Sequence, residues 1–316
     1  MTAGGTPQVA VLGAGAWGSN LARTLHDLSA LGAVVDPAPS VRRAVAARYP
    51  GVAVHVAPAD VLGPGVAAVA IATPAATHHA IAKQALLAGK DVFVEKPMTL
   101  RPDDAEELAR LAEREGRVLM VGHLLLYQPA IEYIARQLRD GLLGRLHSLH
   151  QERLKLGRVR SEENVLWSFG VHDIAVLLHL VGSEPTDVCT ASHRILQPEV
   201  EDDVHLHLGF EGGVQAHLHV SWLWPETRRR LTVIGSEGML TYDEVSGVVT
   251  LHRKTVDADL AEHDGGTEVV FTSKDEPLRL EMEHFLARVR DRGRPLSDGW
   301  DGTRVVRVLE RAAGAG

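Results

Sequence analysis

The chain has 316 residues, enough for two domains and a large core, and its 33 Lys and Arg against 41 Asp and Glu leave a formal charge of −8. The cations are dispersed and the longest basic cluster is Arg228-Arg229-Arg230, which argues against a nucleic-acid partner. A single cysteine, Cys189, excludes an internal disulfide, and neither a bilayer-length apolar run nor a signal-peptide core is found, so a cytoplasmic protein without a membrane partner is expected.

The first predicted strand, over 8–12, is apolar and β-branched and leads directly into Gly13-Ala14-Gly15-Ala16-Trp17-Gly18. A helical pattern over 16–30 follows, so strand, tight turn and helix start fall in the order a dinucleotide loop requires. Gly13 and Gly15 let the backbone turn and approach a pyrophosphate, and Gly18 lets the helix pack close to the strand. The anion then meets free amides at the helix N-terminus. The second strand, over 32–36, closes on Asp36, at the spacing where an acid grips ribose hydroxyls. Asp36 would repel a 2′-phosphate, and Pro37 and Ala38 offer nothing to bind one, so NAD is expected over NADP.

Strands over 52–55, 66–72 and 91–95 then alternate with helices over 39–48, 76–88 and 103–115, and Val118-Leu119-Met120-Val121 follows. Such alternation predicts a doubly wound parallel sheet. The acids Asp103, Asp104, Glu106 and Glu107 after Pro102 suit a helix start and are read as structural. Beyond residue 125 the pattern changes to long alternating runs at 145–156, 203–210, 214–222, 229–234 and 248–253. These predict an α/β second domain with a largely antiparallel, open-faced sheet. Helices are expected at 129–140, 162–181, 278–292 and 301–313, the last of them covering the sheet or packing back on the first domain. The domains are accordingly drawn as 1–124, for dinucleotide binding, and 125–316, for substrate binding and oligomerisation.

The strand 91–95 ends in Glu95-Lys96-Pro97, which sets an ammonium where a dinucleotide domain presents its nicotinamide. With Ala72-Thr73-Pro74, His78, Gly122-His123, Tyr127, Pro129, Gly170-Val171-His172 and Val233-Ile234-Gly235, the chain resembles the glucose-fructose oxidoreductase and inositol dehydrogenase family along its whole length. The resemblance implies pyridine-nucleotide chemistry on sugars or cyclitols and a subunit interface on the open sheet, giving a homodimer or homotetramer. It places Ala16, Trp17, Thr73, Pro74, His78, Glu95, Lys96 and Pro97 beside the glycines and Asp36 around the cofactor. It also makes Lys96 and His172 the catalytic pair.

Asn164, Ser168 and His172 stand at i, i+4 and i+8 of the expected helix and would share one face. Ser168 sits where many relatives carry an aspartate that orients the histidine, so His172 is expected to stay neutral more easily. Gly170 would let cofactor or substrate approach the backbone. The cations Arg153, Lys155, Arg158 and Arg160 suit an anionic substrate, or else are strand-edge and loop charges. This segment is similar to the subgroup of UDP-N-acetylglucosamine and UDP-N-acetylglucosaminuronate 3-dehydrogenases, and Tyr127, Arg153, Lys155, Asn164 and Ser168 are the candidate substrate residues. The pairs His205/His207 and His217/His219 each lie on one sheet face, but the family uses no metal and no cysteine joins them, so no metal is expected. The function expected is NAD-dependent oxidation of a sugar-nucleotide ring hydroxyl at C3. An NADPH-dependent ketosugar reductase and a non-catalytic nucleotide-binding regulator are the alternatives.

Overall fold

A computed structural model describes residues 5–157 and 159–314 and divides them into two compact units. Arg158, one of the four cations singled out above, lies outside the described residues.

The first unit holds residues up to Leu124 together with Glu276–Val306. Its elements are β1 (Val9–Leu12), α1 (Gly18–Asp27), β2 (Leu31–Val35), α2 (Pro39–Arg48), β3 (Ala53–His55), β4 (Ala68–Ile71), α3 (His78–Leu87), β5 (Asp91–Glu95), α4 (Pro102–Arg114) and β6 (Leu119–Gly122). The strands form one parallel sheet in the order β3-β2-β1-β4-β5-β6. A parallel sheet is covered on both faces, which is why β1, β4, β5 and β6 are buried at every position and read as continuous apolar runs rather than alternating ones. The helices turn apolar stripes inward: Leu21, Ala22 and Leu25 on α1, and Ala105, Leu108, Ala109 and Ala112 on α4. Pro102 opens α4 with Asp103 and Asp104 in its first turn, the structural role expected of that acidic cluster.

The second unit runs over Leu125–Asp275 and resumes at Arg307. It contains α5 (Pro129–Arg139), β7 (Leu146–Leu156), α6 (Val171–Val181), β8 (Asp187–His193), β9 (Asp203–Gly209), β10 (Gln215–Ser221), β11 (Leu223–Gly235), β12 (Gly238–Asp243), β13 (Val248–Val256) and β14 (Glu262–Thr272). These eight strands form a sheet in the order β14-β13-β12-β11-β7-β10-β9-β8, antiparallel except where β7 and β10 run parallel. Helices α5 and α6 pack on one face, against β14, β7 and β10. The other face is open, and β9 and β10 alternate accordingly: Val204, Leu206, Leu208, Ala216, Leu218 and Val220 are buried while the residues between them are wetter. Two further helices complete the chain, α7 (Pro277–Asp291) and α8 (Gly299–Gly314). Helix α7 packs on α1 in the first unit, where Phe285 meets Phe93 with ring centroids 5.8 Å apart, and the division between units falls inside α8.

Three strands were not anticipated. Strands β8 and β14 are the two edges of the second sheet, and their polar sequences, with Gly265-Gly266 inside β14, read as turn or loop. Strand β12 is six residues held between turn-forming segments. No helix among the described residues is long and apolar enough to cross a membrane.

Candidate active site

Five segments of the first unit follow the carboxyl ends of its parallel strands: the glycine loop after β1, Asp36 after β2, Thr73-Pro74 after β4, Lys96 after β5 and His123 after β6. Ligands of open parallel sheets bind at these ends, beside the point where strand order reverses, here between β1 and β4.

The glycine loop fits a dinucleotide in its fine detail. Gly13 has φ +84°, and a Cβ there would lie 2.9 Å from the Ala72 carbonyl oxygen; a Cβ on Gly18 would overlap the Gly13 carbonyl. Both are demanded by the close passage of strand, loop and helix. Nothing lies within 4 Å of a Cβ built on Gly15, so its missing side chain leaves open space at the start of α1, where a pyrophosphate would approach. Asp36 is buried and braces this loop, Oδ2 accepting from Ala14 N at 2.9 Å and Oδ1 from Ala38 N at 2.8 Å. The Arg42 guanidinium donates to the carbonyls of Asp36 and Pro37, both at 2.8 Å, which turns its charge toward the strand end rather than away from it.

Glu95 and Lys96 divide the work at the end of β5. Glu95 is buried; one carboxylate oxygen accepts from the Trp17 indole Nε1 and the other from Lys96 N at 3.3 Å. Burial pushes its pKa up to about 7, against the pull of the Trp17 bond and the Lys96 charge. A Cβ on Gly122 would come within 3.1 Å of that carboxylate, so the glycine before His123 is what admits Glu95 beside β6. The Lys96-Pro97 peptide bond is cis. Lys96 itself is half-buried.

Three of the expected cofactor residues act from behind the site. His78 is buried, with Nδ1 2.9 Å from the Pro97 carbonyl and Nε2 2.8 Å from the Thr73 carbonyl, and so straps the loop after β4 to the turn after β5. Burial lowers its pKa, and the neutral ring donates to one carbonyl at a time. Glu95 holds Trp17 in the same indirect way, and Trp17 is the outward member of that pair, 40 % exposed.

Two residues outside the candidate set belong to this environment. His123 is buried with no hydrogen-bond partner on either ring nitrogen, and burial together with the Lys96 charge pushes its pKa down to about 3. Glu281, on the buried stripe of α7 with Leu278, Met282 and Phe285, has both carboxylate oxygens buried without partners; burial, then the Glu95 charge, raises its pKa well above the ordinary value. The signal for Glu281 was an acid at an apolar-stripe position, and for His123 its place beside a strand-end glycine.

Several expectations for the second unit are corrected. Arg153 is not a free strand-end cation: it is 8 % exposed, its Nε and Nη2 donate to Asp173 at 2.8–3.0 Å, and Nη2 reaches Glu244 at 2.8 Å. Strand parity is the reason, since Leu149, Gln151 and Arg153 all face the helix-covered side of β7. Asn164, Ser168 and His172 do not form one helical stripe, because Leu166–Gly170 is a π-helical turn in which Val171 N bonds to Leu166 O. The i→i+5 bond breaks the four-residue phase. Asn164 precedes that turn, accepting from Trp167 N at 3.0 Å and donating to Glu201 at 3.0 Å, so it is a capping residue. Gly170 is small for packing: a Cβ there would lie 2.6 Å from Leu166 and 3.3 Å from Leu218. Ser168 is buried, His172 is half-buried in the first turn of α6, Lys155 is half-buried, and Tyr127 is buried in a 3-10 turn over Leu124–Tyr127.

A glycine loop, a bracing acid and a strand-end lysine on a parallel sheet define a nicotinamide-dinucleotide oxidoreductase. Residues 8–123 match the family model for the oxidoreductase family with an NAD-binding Rossmann fold, and residues 131–241 match that family's C-terminal domain. UDP-N-acetylglucosamine 3-dehydrogenase from Acidithiobacillus ferrooxidans is 29 % identical over 248 residues, 78 % of each chain, and its crystal structure superposes with a TM-score of 0.85 at 27 % identity over 98 % of this chain and 97 % of that one. An oxidoreductase structure from Magnetospirillum magnetotacticum MS-1 is 31 % identical, with a TM-score of 0.84 over 98 % and 100 % of the two chains. The scyllo-inositol 2-dehydrogenase (NAD(+)) of Bacillus subtilis is 26 % identical over 76 % of this chain and 72 % of its own. The chain belongs to the glucose-fructose oxidoreductase and inositol dehydrogenase (GFO/IDH/MocA) family, and is an oxidoreductase that takes a nicotinamide cofactor.

Proposed function

We propose that this protein is an NAD-dependent dehydrogenase that oxidises the C3 hydroxyl of a sugar nucleotide to a ketone. The observation that carries the reading is Lys96, presented at the end of β5 in the same sheet whose first strand end carries the open glycine loop and whose second carries Asp36. The similarity to UDP-N-acetylglucosamine 3-dehydrogenase along most of the chain supports the substrate class.

When bound, the oxidised nicotinamide supplies hydride acceptance. The protein's own part is proton handling and placement. Lys96 receives the hydroxyl proton as the carbonyl forms, with His172 as its partner in the proton pathway. An uncharged amine is needed for that step, and the positive nicotinamide ring lowers the cost of shedding the proton from Lys96. His123, held neutral in its buried place, adds no competing charge beside Lys96. Asp36 favours NAD, since its carboxylate offers acceptors to a ribose diol and repulsion to a 2′-phosphate. Tyr127, Lys155 and Ser168 are the substrate-holding residues of this reading, and a second copy of the chain on the open sheet gives a homodimer or homotetramer.

The test is incubation of purified protein with NAD+ and UDP-N-acetylglucosamine or its uronate. NADH and a product lighter by two hydrogens are expected, with turnover abolished in Lys96→Ala while NAD binding persists. Turnover only of a 3-keto sugar nucleotide with NADPH would overturn both the direction and the cofactor.

A further inference from the structure

The open face of the second sheet, on which the proposed function also sets a second copy of the chain, carries a histidine-rich patch that hydride transfer does not use. Register sets His205 opposite His219 and His207 opposite His217 across β9 and β10, and His193 of β8 opposite Asp203. Asp203 thereby becomes the centre of a donor set from three adjacent strands. Its Oδ2 is 3.2 Å from His219 Nε2, and its Oδ1 is 3.9 Å from His205 Nε2 and 3.5 Å from His193 Nδ1. One ligand atom each from Asp203, His205 and His219 lies within 4.8 Å of the other two. A tetrahedral ion with bonds of about 2.1 Å separates its ligands by about 3.4 Å. The Asp203–His219 and Asp203–His205 separations, 3.2 Å and 3.9 Å from its two oxygens, lie on either side of that value.

The centre of the patch is sheltered and its margin is open: the Asp203 and His219 side chains are 15 % and 17 % exposed, and His205 is 43 % exposed. The His205 and His219 rings stack at 3.8 Å and 15°, so an ion shared by both nitrogens requires the His205 ring, on the open margin, to turn out of that stack. Trp224 packs edge-on against His219 at 5.7 Å. Ser221 hydrogen-bonds the Asp203 carboxylate, the kind of outer contact that orients a metal ligand.

We propose that Asp203, His205 and His219 form a binding site for a divalent transition-metal ion of the zinc class, with water completing the coordination. Imidazole and carboxylate donors in a four-ligand set suit such an ion better than magnesium or calcium, which take oxygen ligands. The ion links β9 to β10 and is separate from the residues assigned to hydride transfer. The expectation of no metal rests on the resemblance and on the absence of a joining cysteine; it does not include Asp203, which the fold sets beside the two histidines.

The full-length protein, stripped with chelator and dialysed, is titrated with Zn2+ against a chromophoric competitor, and with Co2+ to read the ligand-field bands of a tetrahedral site. One equivalent per chain is expected, with a rise in the melting midpoint. Affinity should fall about tenfold or more in His205→Ala/His219→Ala, as for loss of ligands from a defined site. The conservative pair His205→Gln/His219→Gln guards against misfolding, and His26→Ala, remote on α1, should bind as the parent does. Equal binding by the parent and the Gln pair, or no stoichiometric binding by the parent, overturns the proposal.

Discussion

Replacing Glu95 by Gln tests the electrostatics at the end of β5 without emptying the site. Gln keeps the volume and the oxygen that accepts from Trp17; it removes the titration and gives up only the long 3.3 Å bond from Lys96 N. In the folded protein burial moves the carboxyl from an ordinary 4.5 to about 7, so the folded state holds the proton more tightly than the unfolded chain. The sign follows: this group's contribution to stability is complete below about pH 4.5 and is lost as pH rises through about 7. The whole shift is worth about 3 kcal/mol, and the part lost between about pH 5 and about pH 8 is about 2.5 kcal/mol. Urea unfolding of nucleotide-free protein across that range should show the parent losing about 2.5 kcal/mol relative to Glu95→Gln. Glu281 is raised mainly by burial and gives a like-signed slope, and His123 an opposite one; both are present in both proteins, so the difference curve reports Glu95 together with its charge coupling to Glu281. Parallel curves, or a parent that gains on the variant as pH rises, would refute the claim that burial outweighs Trp17 and Lys96.

Other consequences are more local. Asp36→Asn retains an acceptor for one of the Ala14 and Ala38 amides but loses the charge, and the ratio of kcat/KM for NADP to that for NAD should rise about tenfold or more, as expected for loss of a charged hydrogen-bonding partner; steady-state kinetics with both cofactors decides it. Arg153→Ala leaves Asp173 buried without a cation, held only by Gln151, while Glu244 keeps Arg229, and it should cost about 3–5 kcal/mol in thermal or chemical unfolding. Lys155→Ala should change stability by no more than about 0.5 kcal/mol. Gly15→Ala, which meets open space in the nucleotide-free chain, should keep its melting midpoint and weaken NAD binding in calorimetry, whereas Gly18→Ala, whose methyl meets the Gly13 carbonyl, should lose both.

The first unit was legible because its chemistry sits in contiguous strand-end motifs. A buried parallel strand announces itself by an unbroken apolar run, and the residue that follows it is then at the ligand-binding edge whatever the rest of the chain does. The motifs put Gly13, Asp36 and Lys96 just past strand ends, and the fold places them there. What could not be read was indirect support. His78 looks in sequence like a residue of the cofactor loop, and only the fold shows that its ring spans two carbonyls nineteen and five residues away. The second unit failed where one residue changes the phase. The π turn at Leu166–Gly170 inserts a single step into the helical count and undoes the alignment of Asn164, Ser168 and His172. Arg153 was misplaced for a simpler reason, since counting alternate residues from the buried Leu149 already sends it inward.

Glu95 shows how a motif residue can matter without touching substrate. Its neighbour Lys96 is the group proposed to handle a proton, yet Glu95 carries the longer chain of consequences: it fixes Trp17, Trp17 is the residue immediately before α1, and α1 begins at the glycine that packs on the Gly13 carbonyl. The carboxylate therefore couples the loop that would hold pyrophosphate to the strand end that would meet the nicotinamide. Protonation near neutrality makes that coupling adjustable, because a protonated Glu95 neither attracts Lys96 nor repels Glu281, while an ionised one does both. A cofactor whose ring is positive when oxidised and neutral when reduced shifts this balance toward the ionised carboxylate in the first state and away from it in the second. Oxidised and reduced cofactor should then be held with different pH dependences, a difference that resides in one buried carboxyl rather than in any residue that contacts the sugar.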